Sequence, residues 1–180
     1  MMTVIIGGSG SGKSAYAEHY ITKLSQGINQ YYIATMQIFD KEGQEKVVRH
    51  KTLRSGKGFR TIEQPIAIQN ALEKMKSGEK TALLECISNL VANEMFSDEM
   101  PKTEQQVTSQ IIKGIATLKE QLTHLVIVSN NVCEEGRVYD ETTMAYIRAM
   151  GTINARLVAM ADEVVEVVVG IPIALKTRDI

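Results

Sequence analysis

The sequence predicts an α/β fold with a mostly parallel β-sheet flanked by helices. Short apolar strands alternate with longer helical patterns along the whole chain, which is typical of parallel sheets. The first apolar run, residues 4–6, leads directly into a glycine-rich stretch and then into a helical pattern. We find no internal repeat and no linker, so residues 1–180 are expected to form one domain.

The glycine-rich stretch has the spacing of a phosphate-binding loop. It consists of Gly7, Gly8, Ser9, Gly10, Ser11, Gly12, Lys13 and Ser14. Glycines let backbone N–H groups turn toward phosphate oxygens, Lys13 can reach the terminal phosphates, and the Ser14 hydroxyl can bind Mg²⁺. We predict that all of these residues bind a nucleoside triphosphate, with Lys13 catalytic and Ser14 a metal ligand. The alternative is a flexible linker, which would need neither Lys13 nor Ser14.

The other elements follow from hydrophobic periodicity and from glycine and proline breaks. Helices are predicted at residues 15–24, 41–54, 65–76, 88–96, 103–122 and 142–160. Strands are predicted at residues 30–34, 59–63, 81–86, 125–130 and 163–169. Gly27 and Gly78 end two of the helices, and Pro65 suits the first turn of another. A short final strand at residues 173–176 follows Gly170 and Pro172, and we expect it to lie antiparallel at the sheet edge.

Polar residues end several of the predicted strands, where open α/β sheets place their ligands. Thr35 follows the second strand and Glu63 ends the third, so both are included among the nucleotide-binding residues. Glu85 lies near the end of the buried strand at residues 81–86. An acidic residue at this place is the usual partner of Mg²⁺ or its water shell in phosphate-loop proteins. We therefore predict catalytic, nucleotide-binding and metal-binding roles for Glu85, with a surface glutamate as the alternative.

His50 has an unusual charged setting. Lys46 and Arg54 lie four residues before and after it, so all three share one face of the predicted helix. Two cations one turn away disfavour the imidazolium form, and we expect His50 to be uncharged near neutral pH. A neutral imidazole can act as a nucleophile, and the cations would stabilise charge at an attacked phosphorus. His50 is therefore a candidate catalytic residue and Arg54 a candidate nucleotide-binding residue, although a solvated basic face is the simpler alternative.

Charge and hydropathy argue against several classes of protein. The chain has 20 Lys+Arg against 21 Asp+Glu and only 5% aromatic residues, so we expect no binding to nucleic acid. No apolar run approaches the roughly 18 residues needed to span a bilayer, and the N-terminus lacks a signal-peptide pattern. We therefore expect a cytoplasmic protein with no transmembrane segment. Cys86 and Cys133 match no metal-ligand spacing and are interpreted as reduced thiols.

Together these motifs resemble the cobinamide kinase/cobinamide-phosphate guanylyltransferase family of coenzyme B12 assembly. The resemblance extends over nearly the whole chain, and its most specific parts are the stretch around His50 and the segment at residues 161–164. Other matching stretches are residues 7–14, 32–35, 83–87, 127–130 and 169–172.

The resemblance implies a RecA-like phosphate-loop fold and two reactions. One reaction phosphorylates the aminopropanol hydroxyl of adenosylcobinamide with ATP or GTP. The other transfers GMP from GTP to adenosylcobinamide phosphate, and in the family the histidine that matches His50 carries the GMP. The resemblance also implies Mg²⁺ as the cofactor, Arg54 as a candidate phosphate clamp, and a homotrimer.

The sequence departs from the family at three places. Asn131 replaces a usual glutamate at the start of a changed loop at residues 131–139, Ala149 replaces a usual aspartate, and residues 55–58 hold what looks like one extra residue. We interpret these changes as lying in active-site loops. Loss of a carboxylate near the acceptor is expected to impair the kinase step most, because a hydroxyl needs a base or an orienting group.

Two other functions remain compatible with the residues. One is a different small-molecule kinase, in which His50 only steers phosphate. The other is a non-catalytic regulator, in which the bound triphosphate controls assembly with a partner.

Overall fold

A computed structural model describes residues 1–37, 56–98, 100–131 and 139–178 of the chain. The helix predicted at residues 41–54 lies outside these ranges, together with His50, Arg54 and Cys133.

The described part of the chain is built on a seven-stranded sheet of order β3-β2-β4-β5-β1-β6-β7. The strands are β1 Met2–Gly7, β2 Asn29–Ala34, β3 Arg60–Glu63, β4 Lys80–Glu85, β5 His124–Asn130, β6 Glu163–Val168 and β7 Ile171–Lys176. Strands β1 to β6 pair in parallel, and β7 pairs antiparallel with β6. The mostly parallel sheet and the antiparallel C-terminal edge strand are therefore both confirmed.

Helices cover both faces of the sheet. They are α1 Lys13–Leu24, α2 Ile87–Met95, α3 Glu104–Gln121 and α4 Glu141–Met160. Their bounds agree with the predicted helices to within two residues, because their start signals are local. Thr103, for example, begins α3 with a capping box in which its side chain and that of Gln106 exchange hydrogen bonds with the backbone. None of the helices in the described ranges is long and apolar enough to cross a membrane.

The helix predicted at residues 65–76 is shorter than expected and is not an α-helix. A 3₁₀ helix, Ile68–Lys74, occupies this region and begins three residues after Pro65. The cause lies at Ala67, whose φ of 47° is left-handed and interrupts helical geometry. The Ala67 N–H donates to Glu94 Oε1 at 2.7 Å, so a buried carboxylate of α2 holds the turn in this shape. The interaction is distant in sequence and left no local signal.

Two apolar clusters divide the core according to the faces of the sheet. The first lies under α1 and includes Ile5, Ala17, Ile21, Leu83, Val126, Val128, Val165 and Val167. The second lies under α2, α3 and α4 and includes Val4, Leu84, Leu90, Ile111, Ile115, Ile127, Ile153 and Val164. Because the strands are buried on both faces of the sheet, polar side chains that could contact a ligand lie at the strand ends. The phosphate-binding loop and the ends of β2, β4 and β5 therefore share the carboxyl edge of the sheet.

Candidate nucleotide-binding site

The glycine-rich loop joins the end of β1 to the start of α1. Gly10 and Gly12 have φ values of 73° and 91°, which glycine adopts without strain. Lys13 is the first residue of α1, is 8% exposed, and donates from Nζ to the carbonyl oxygen of Gly8 at 3.0 Å. Burial lowers the pKa of Lys13, and the nearby Cys86 and Glu85 partly offset this change. The lysine is thus folded into the loop, where a phosphate oxygen could replace the Gly8 carbonyl as its acceptor.

The β6–β7 turn packs against the loop. Gly170 N donates to the carbonyl oxygen of Ser11 at 2.8 Å. A Cβ added at Gly7 would lie 2.5 Å from the carbonyl oxygen of Val167, which is closer than real Cβ atoms come. The buried Ser11 Oγ has no hydrogen-bond partner in the described parts of the chain. The end of β6 therefore fixes the base of the loop and requires glycine at position 7.

Glu85 receives two hydrogen bonds at the end of β4. Ser14 Oγ donates to Oε1 at 2.5 Å and the Tyr32 hydroxyl donates to Oε2 at 3.0 Å. The fold thus brings together Ser14 and Glu85, which the sequence analysis predicted as metal ligands from separate motifs. The sequence analysis did not assign Tyr32 to the site. The available signal was a tyrosine hydroxyl on β2, the buried strand that pairs with β4. Its ring is 3% exposed and packs edge-on against Phe59, with ring centroids 5.9 Å apart.

Thr35 follows β2 and is fully buried. Its hydroxyl donates to the Cys86 carbonyl oxygen at 2.9 Å and accepts from the Cys86 N–H at 2.8 Å. The hydroxyl therefore joins the ends of β2 and β4. Nucleotide binding by Thr35 stays a prediction, and the burial of its side chain does not favour it.

Asn93 of α2 is a second residue that the sequence analysis did not assign to the site. Its Nδ2 donates to the carbonyl oxygens of Thr35, at 2.7 Å, and of Pro65, at 2.9 Å. One amide thus ties together the segments that follow β2 and β3. Glu63 ends β3 at the sheet edge, opposite Ala34 of β2, and its role in nucleotide binding stays a prediction.

The loop before β3, which contains the apparent extra residue, is attached to α1. Lys57 Nζ lies 2.5 Å from Glu18 Oε2, and the Glu18 side chain is only 6% exposed. Gly56 and Gly58 flank the lysine with φ values of 82° and 79°. A buried carboxylate needs such a partner, because an unpaired charge there would be costly. The changed loop is therefore fixed to the helix that follows the phosphate-binding loop.

The other two positions that the sequence analysis expected to depart from the family have different settings. Ala149 is fully buried in the core beneath α4, so its expected place in an active-site loop is wrong. Helical periodicity turns this position inward, where a carboxylate would need a buried partner. Asn131 directly follows β5, and its Nδ2 donates to Glu166 Oε1 of β6 at 3.2 Å. Residues 132–138 lie outside the described ranges.

Cys86 is a free thiol at the start of α2. Burial raises its pKa, and its Sγ lies 3.0 Å from Ser88 Oγ. A thiol with a raised pKa is a poor nucleophile, and the free thiol agrees with the interpretation of Cys86 as reduced. Among the described residues, no group of three or more His, Cys, Asp or Glu side chains is placed to hold a metal ion.

A phosphate-binding loop between β1 and α1, with its serine in contact with an acidic strand end, defines a P-loop nucleoside triphosphate-binding protein. The family model described as cobinamide kinase / cobinamide phosphate guanyltransferase matches residues 3–175. The chain belongs to this family, as the motifs indicated.

Relatives and a solved structure agree with this assignment. Two relatives are the bifunctional adenosylcobalamin biosynthesis proteins CobU of Escherichia coli and of Salmonella typhimurium. Each is 32% identical to this chain over 186 residues, and the match covers 98% of this chain and 100% of the relative. The corresponding CobP protein of Pseudomonas aeruginosa is 26% identical, covering 98% of both chains. The flagellar accessory protein FlaH from Methanocaldococcus jannaschii matches with a TM-score of 0.50 and 13% identity, covering 98% of this chain and 78% of FlaH. This last likeness shows the fold alone and confirms the predicted RecA-like P-loop fold.

Proposed function

We propose that the chain is a bifunctional adenosylcobinamide kinase and adenosylcobinamide-phosphate guanylyltransferase of coenzyme B12 assembly. The observation that carries the proposal is the Ser14–Glu85 contact at the phosphate-binding loop of a chain that matches the family model over residues 3–175. The three relatives named above are described as bifunctional adenosylcobalamin biosynthesis proteins. The chain is accordingly a transferase of phosphorus-containing groups that uses ATP and GTP.

The residues at the loop fit Mg²⁺. The Ser14 hydroxyl and the Glu85 carboxylate are oxygen donors 2.5 Å apart, and Mg²⁺ prefers few protein oxygens together with phosphates and water. Tyr32 holds the second oxygen of Glu85, so the carboxylate is already oriented. When bound there, the ion would neutralise charge on the triphosphate.

In the kinase step, the acceptor hydroxyl of cobinamide attacks the γ-phosphorus, and the bond from that phosphorus to the β-phosphate oxygen breaks. Backbone N–H groups of the loop orient the triphosphate, and Lys13 stabilises negative charge on the β- and γ-phosphates. To do so, Lys13 exchanges its hydrogen bond to Gly8 for one to phosphate, which costs little because one acceptor replaces another.

In the guanylyltransferase step, an imidazole nitrogen of His50 attacks the α-phosphorus of GTP and pyrophosphate leaves. A phosphate oxygen of cobinamide phosphate then attacks the histidine-bound GMP, the P–N bond breaks, and His50 is restored. Arg54 is proposed to hold phosphate oxygens during both transfers. The support for these two roles is the sequence motif together with family membership.

A product assay tests the proposal. The purified protein is incubated with adenosylcobinamide, Mg²⁺ and GTP, and the corrinoids are separated by chromatography. The proposal expects adenosylcobinamide phosphate and then adenosylcobinamide-GDP, and it expects neither with the Lys13→Ala variant. Phosphorylation without guanylyl transfer would instead identify a simple kinase, and tight nucleotide binding without corrinoid turnover would identify a regulator.

We also propose that the protein is a cytoplasmic homotrimer. The support for an oligomer comes from β7, an edge strand whose residues are all exposed although several are large and apolar. Ile171, Ile173 and Leu175 are 61%, 44% and 58% exposed. An exposed apolar edge strand is a template for pairing with another chain. Sedimentation equilibrium should give three times the mass of the 19.9 kDa chain, and a monomer would contradict this proposal.

A further inference from the structure

Asn130, the last residue of β5, has a buried amide oxygen without a partner. Its Nδ2 donates to Ser88 Oγ at 2.8 Å. Its Oδ1 is shielded from water and accepts no hydrogen bond in the parts of the chain that the structure describes. A buried acceptor without a donor is costly, and native proteins keep few of them. The free oxygen of Asn130 therefore indicates a role beyond packing.

The pairing of strands places Asn130 beside the phosphate-binding loop. Asn130 is in register with Gly7, the first residue of the loop. The following N–H, that of Asn131, lies 3.4 Å from the carbonyl oxygen of Gly7. On its other side, β5 pairs with β4, the strand that ends at Glu85. Because neighbouring strands lie about 5 Å apart, Asn130 is within one strand spacing of both the loop and β4.

The side chain of Asn130 lies on the face of the sheet that α1 covers. Val126 and Val128 of β5 belong to the cluster under α1, and Asn130 is the next residue in this alternation. Lys13 and Ser14, which the proposed function assigns to the triphosphate and its metal ion, are the first two residues of α1. Asn130 therefore lies at the same edge and on the same face as these residues.

A chain of contacts connects Asn130 to Lys13. Ser88 Oγ, which accepts from the Asn130 amide, lies 3.0 Å from Cys86 Sγ. Cys86 is near enough to Lys13 to raise the pKa of the lysine, and its effect on this pKa is larger than that of Glu85. The amide, the hydroxyl and the thiol therefore form one network next to the lysine that would hold the terminal phosphates.

The backbone of Asn130 is fixed, whereas its amide can pair with Ser88 in two orientations. Asn154 Nδ2 of α4 donates to the Asn130 carbonyl oxygen at 3.2 Å. In the orientation described, the amide donates to Ser88 Oγ and the Ser88 hydroxyl can donate to Cys86 Sγ. A half turn of the amide brings Oδ1 to Ser88, where the hydroxyl donates to Oδ1 and accepts from the Cys86 thiol. Oδ1 is then satisfied, and Nδ2 becomes the free group of the amide.

The free group of the turned amide is a donor, which suits phosphate oxygens because these only accept hydrogen bonds. Four other polar side chains at this edge are less suited to this task. Glu63 and Glu85 carry carboxylates, which repel phosphate. The Thr35 hydroxyl already pairs with two backbone groups, and Asn93 Nδ2 already donates to two carbonyl oxygens. Asn130 therefore fits a phosphate oxygen better than these four residues.

We propose that Asn130 recognises the γ-phosphate of the bound nucleoside triphosphate. This inference rests on the proposed function, since it concerns the triphosphate in the same site. When the triphosphate binds, the amide turns, Nδ2 donates to a γ-phosphate oxygen, and Oδ1 accepts from the Ser88 hydroxyl. A nucleoside diphosphate has no oxygen at this place, so Asn130 stabilises the bound triphosphate alone. The diphosphate product of the kinase step then leaves the site more readily than the triphosphate.

The affinities for a triphosphate and a diphosphate test the proposal without any corrinoid. Calorimetric titration with Mg²⁺ uses α,β-methylene-GTP and α,β-methylene-GDP, because the proposed attack of His50 cannot cleave their α–β linkage. We expect Asn130→Ala to weaken binding of the triphosphate analogue by about 10- to 100-fold, the contribution of one hydrogen bond to a charged group. Binding of the diphosphate analogue should be unchanged, which also shows that the variant is folded.

Asn130→Asp is the second variant and Asn29→Ala is the control. The aspartate keeps the size of the side chain but repels the γ-phosphate, so it should lose at least as much affinity for the triphosphate analogue. It also tests the proposal if Asn130→Ala does not fold. Asn29 begins β2 at the opposite edge of the sheet, where its Nδ2 donates to the Glu79 carbonyl oxygen, and its loss should change neither affinity. An unchanged affinity for the triphosphate analogue in the Asn130 variants, or an equal loss for both analogues, would overturn the proposal.

Failure of the proposed function would look different. If the unaltered protein forms neither corrinoid product but Asn130→Ala selectively loses the triphosphate analogue, the proposed function fails and the role of Asn130 stands. If the unaltered protein forms both products but binds the two analogues equally tightly, the role of Asn130 is refuted and the proposed function stands.

Discussion

The close packing of β6 against the phosphate-binding loop makes a quantitative prediction at Gly7. An alanine there would place its Cβ 2.5 Å from the Val167 carbonyl oxygen and 2.7 Å from Ser11 Oγ. The serine side chain can rotate, but the carbonyl belongs to the backbone of β6, which pairs with β1. Either the two strands or the loop must therefore shift. Overpacking of this kind costs about 1–3 kcal/mol.

For a chain of this length, each kcal/mol shifts the unfolding midpoint by about 2–4 °C, so Gly7→Ala should unfold roughly 2–12 °C lower without nucleotide. Gly8→Ala is the matched control, because a Cβ at Gly8 would meet no atom within 4 Å. Its midpoint should be unchanged or slightly raised. Thermal unfolding followed by circular dichroism measures both. Equal midpoints for Gly7→Ala and the unaltered protein would refute the described packing.

Two further predictions concern Lys13 and Tyr32. Burial lowers the pKa of Lys13 below its usual value of 10.5. At pH values between the lowered pKa and 10.5, Lys13 binds more protons in the unfolded state than in the folded state. The contribution of Lys13 to the free energy of unfolding therefore rises with pH across this window. Lys13→Met should therefore raise the unfolding midpoint of the nucleotide-free protein at neutral pH and abolish stabilisation by GTP, as measured by thermal unfolding. Tyr32→Phe removes one hydrogen bond to charged Glu85 and should raise the Mg²⁺ concentration for half-maximal activity by about tenfold.

Controls distinguish these effects from general damage. If Lys13→Met unfolded at a lower temperature than the unaltered protein without nucleotide, burial of the Lys13 charge would not be destabilising, which would contradict this prediction. Tyr31 is adjacent to Tyr32, and its hydroxyl accepts from the Lys76 N–H at 2.9 Å, away from Glu85. Tyr31→Phe should leave the Mg²⁺ requirement unchanged. An equal shift in both tyrosine variants would show that the hydroxyl of Tyr32 does not act through Glu85.

The sequence predicted the elements whose signals are local. Apolar runs mark most of the strands, above all β1, β4, β5 and β6, and the loop at residues 7–14 carries its own spacing. Glu85 was also identifiable, because an acidic residue at a buried strand end is unusual without a function. Its contact with Ser14 joins residues 71 apart, but the order of parallel strands makes such a meeting predictable.

The features that sequence analysis missed depend on contacts between distant segments. The turn at Ala67 is held by a hydrogen bond to Glu94, 27 residues away, so the helix expected from Pro65 begins only at Ile68 and is a 3₁₀ helix. Glu166 faces Asn131 from 35 residues further along the chain, on a strand that otherwise reads as an apolar run. Periodicity describes one segment at a time and cannot show which side chains meet across a sheet edge.

We propose that this chain transfers GMP through His50, and covalent labelling tests this proposal most directly. The protein is incubated with Mg²⁺ and GTP labelled at the α-phosphate, and protein-bound label is measured after acid and after base treatment. We expect label that is lost in acid and kept in base, absent in His50→Ala, and retained in His19→Ala, whose imidazole is exposed on α1. GTP binding without label, or label that persists in His50→Ala, would contradict the claim.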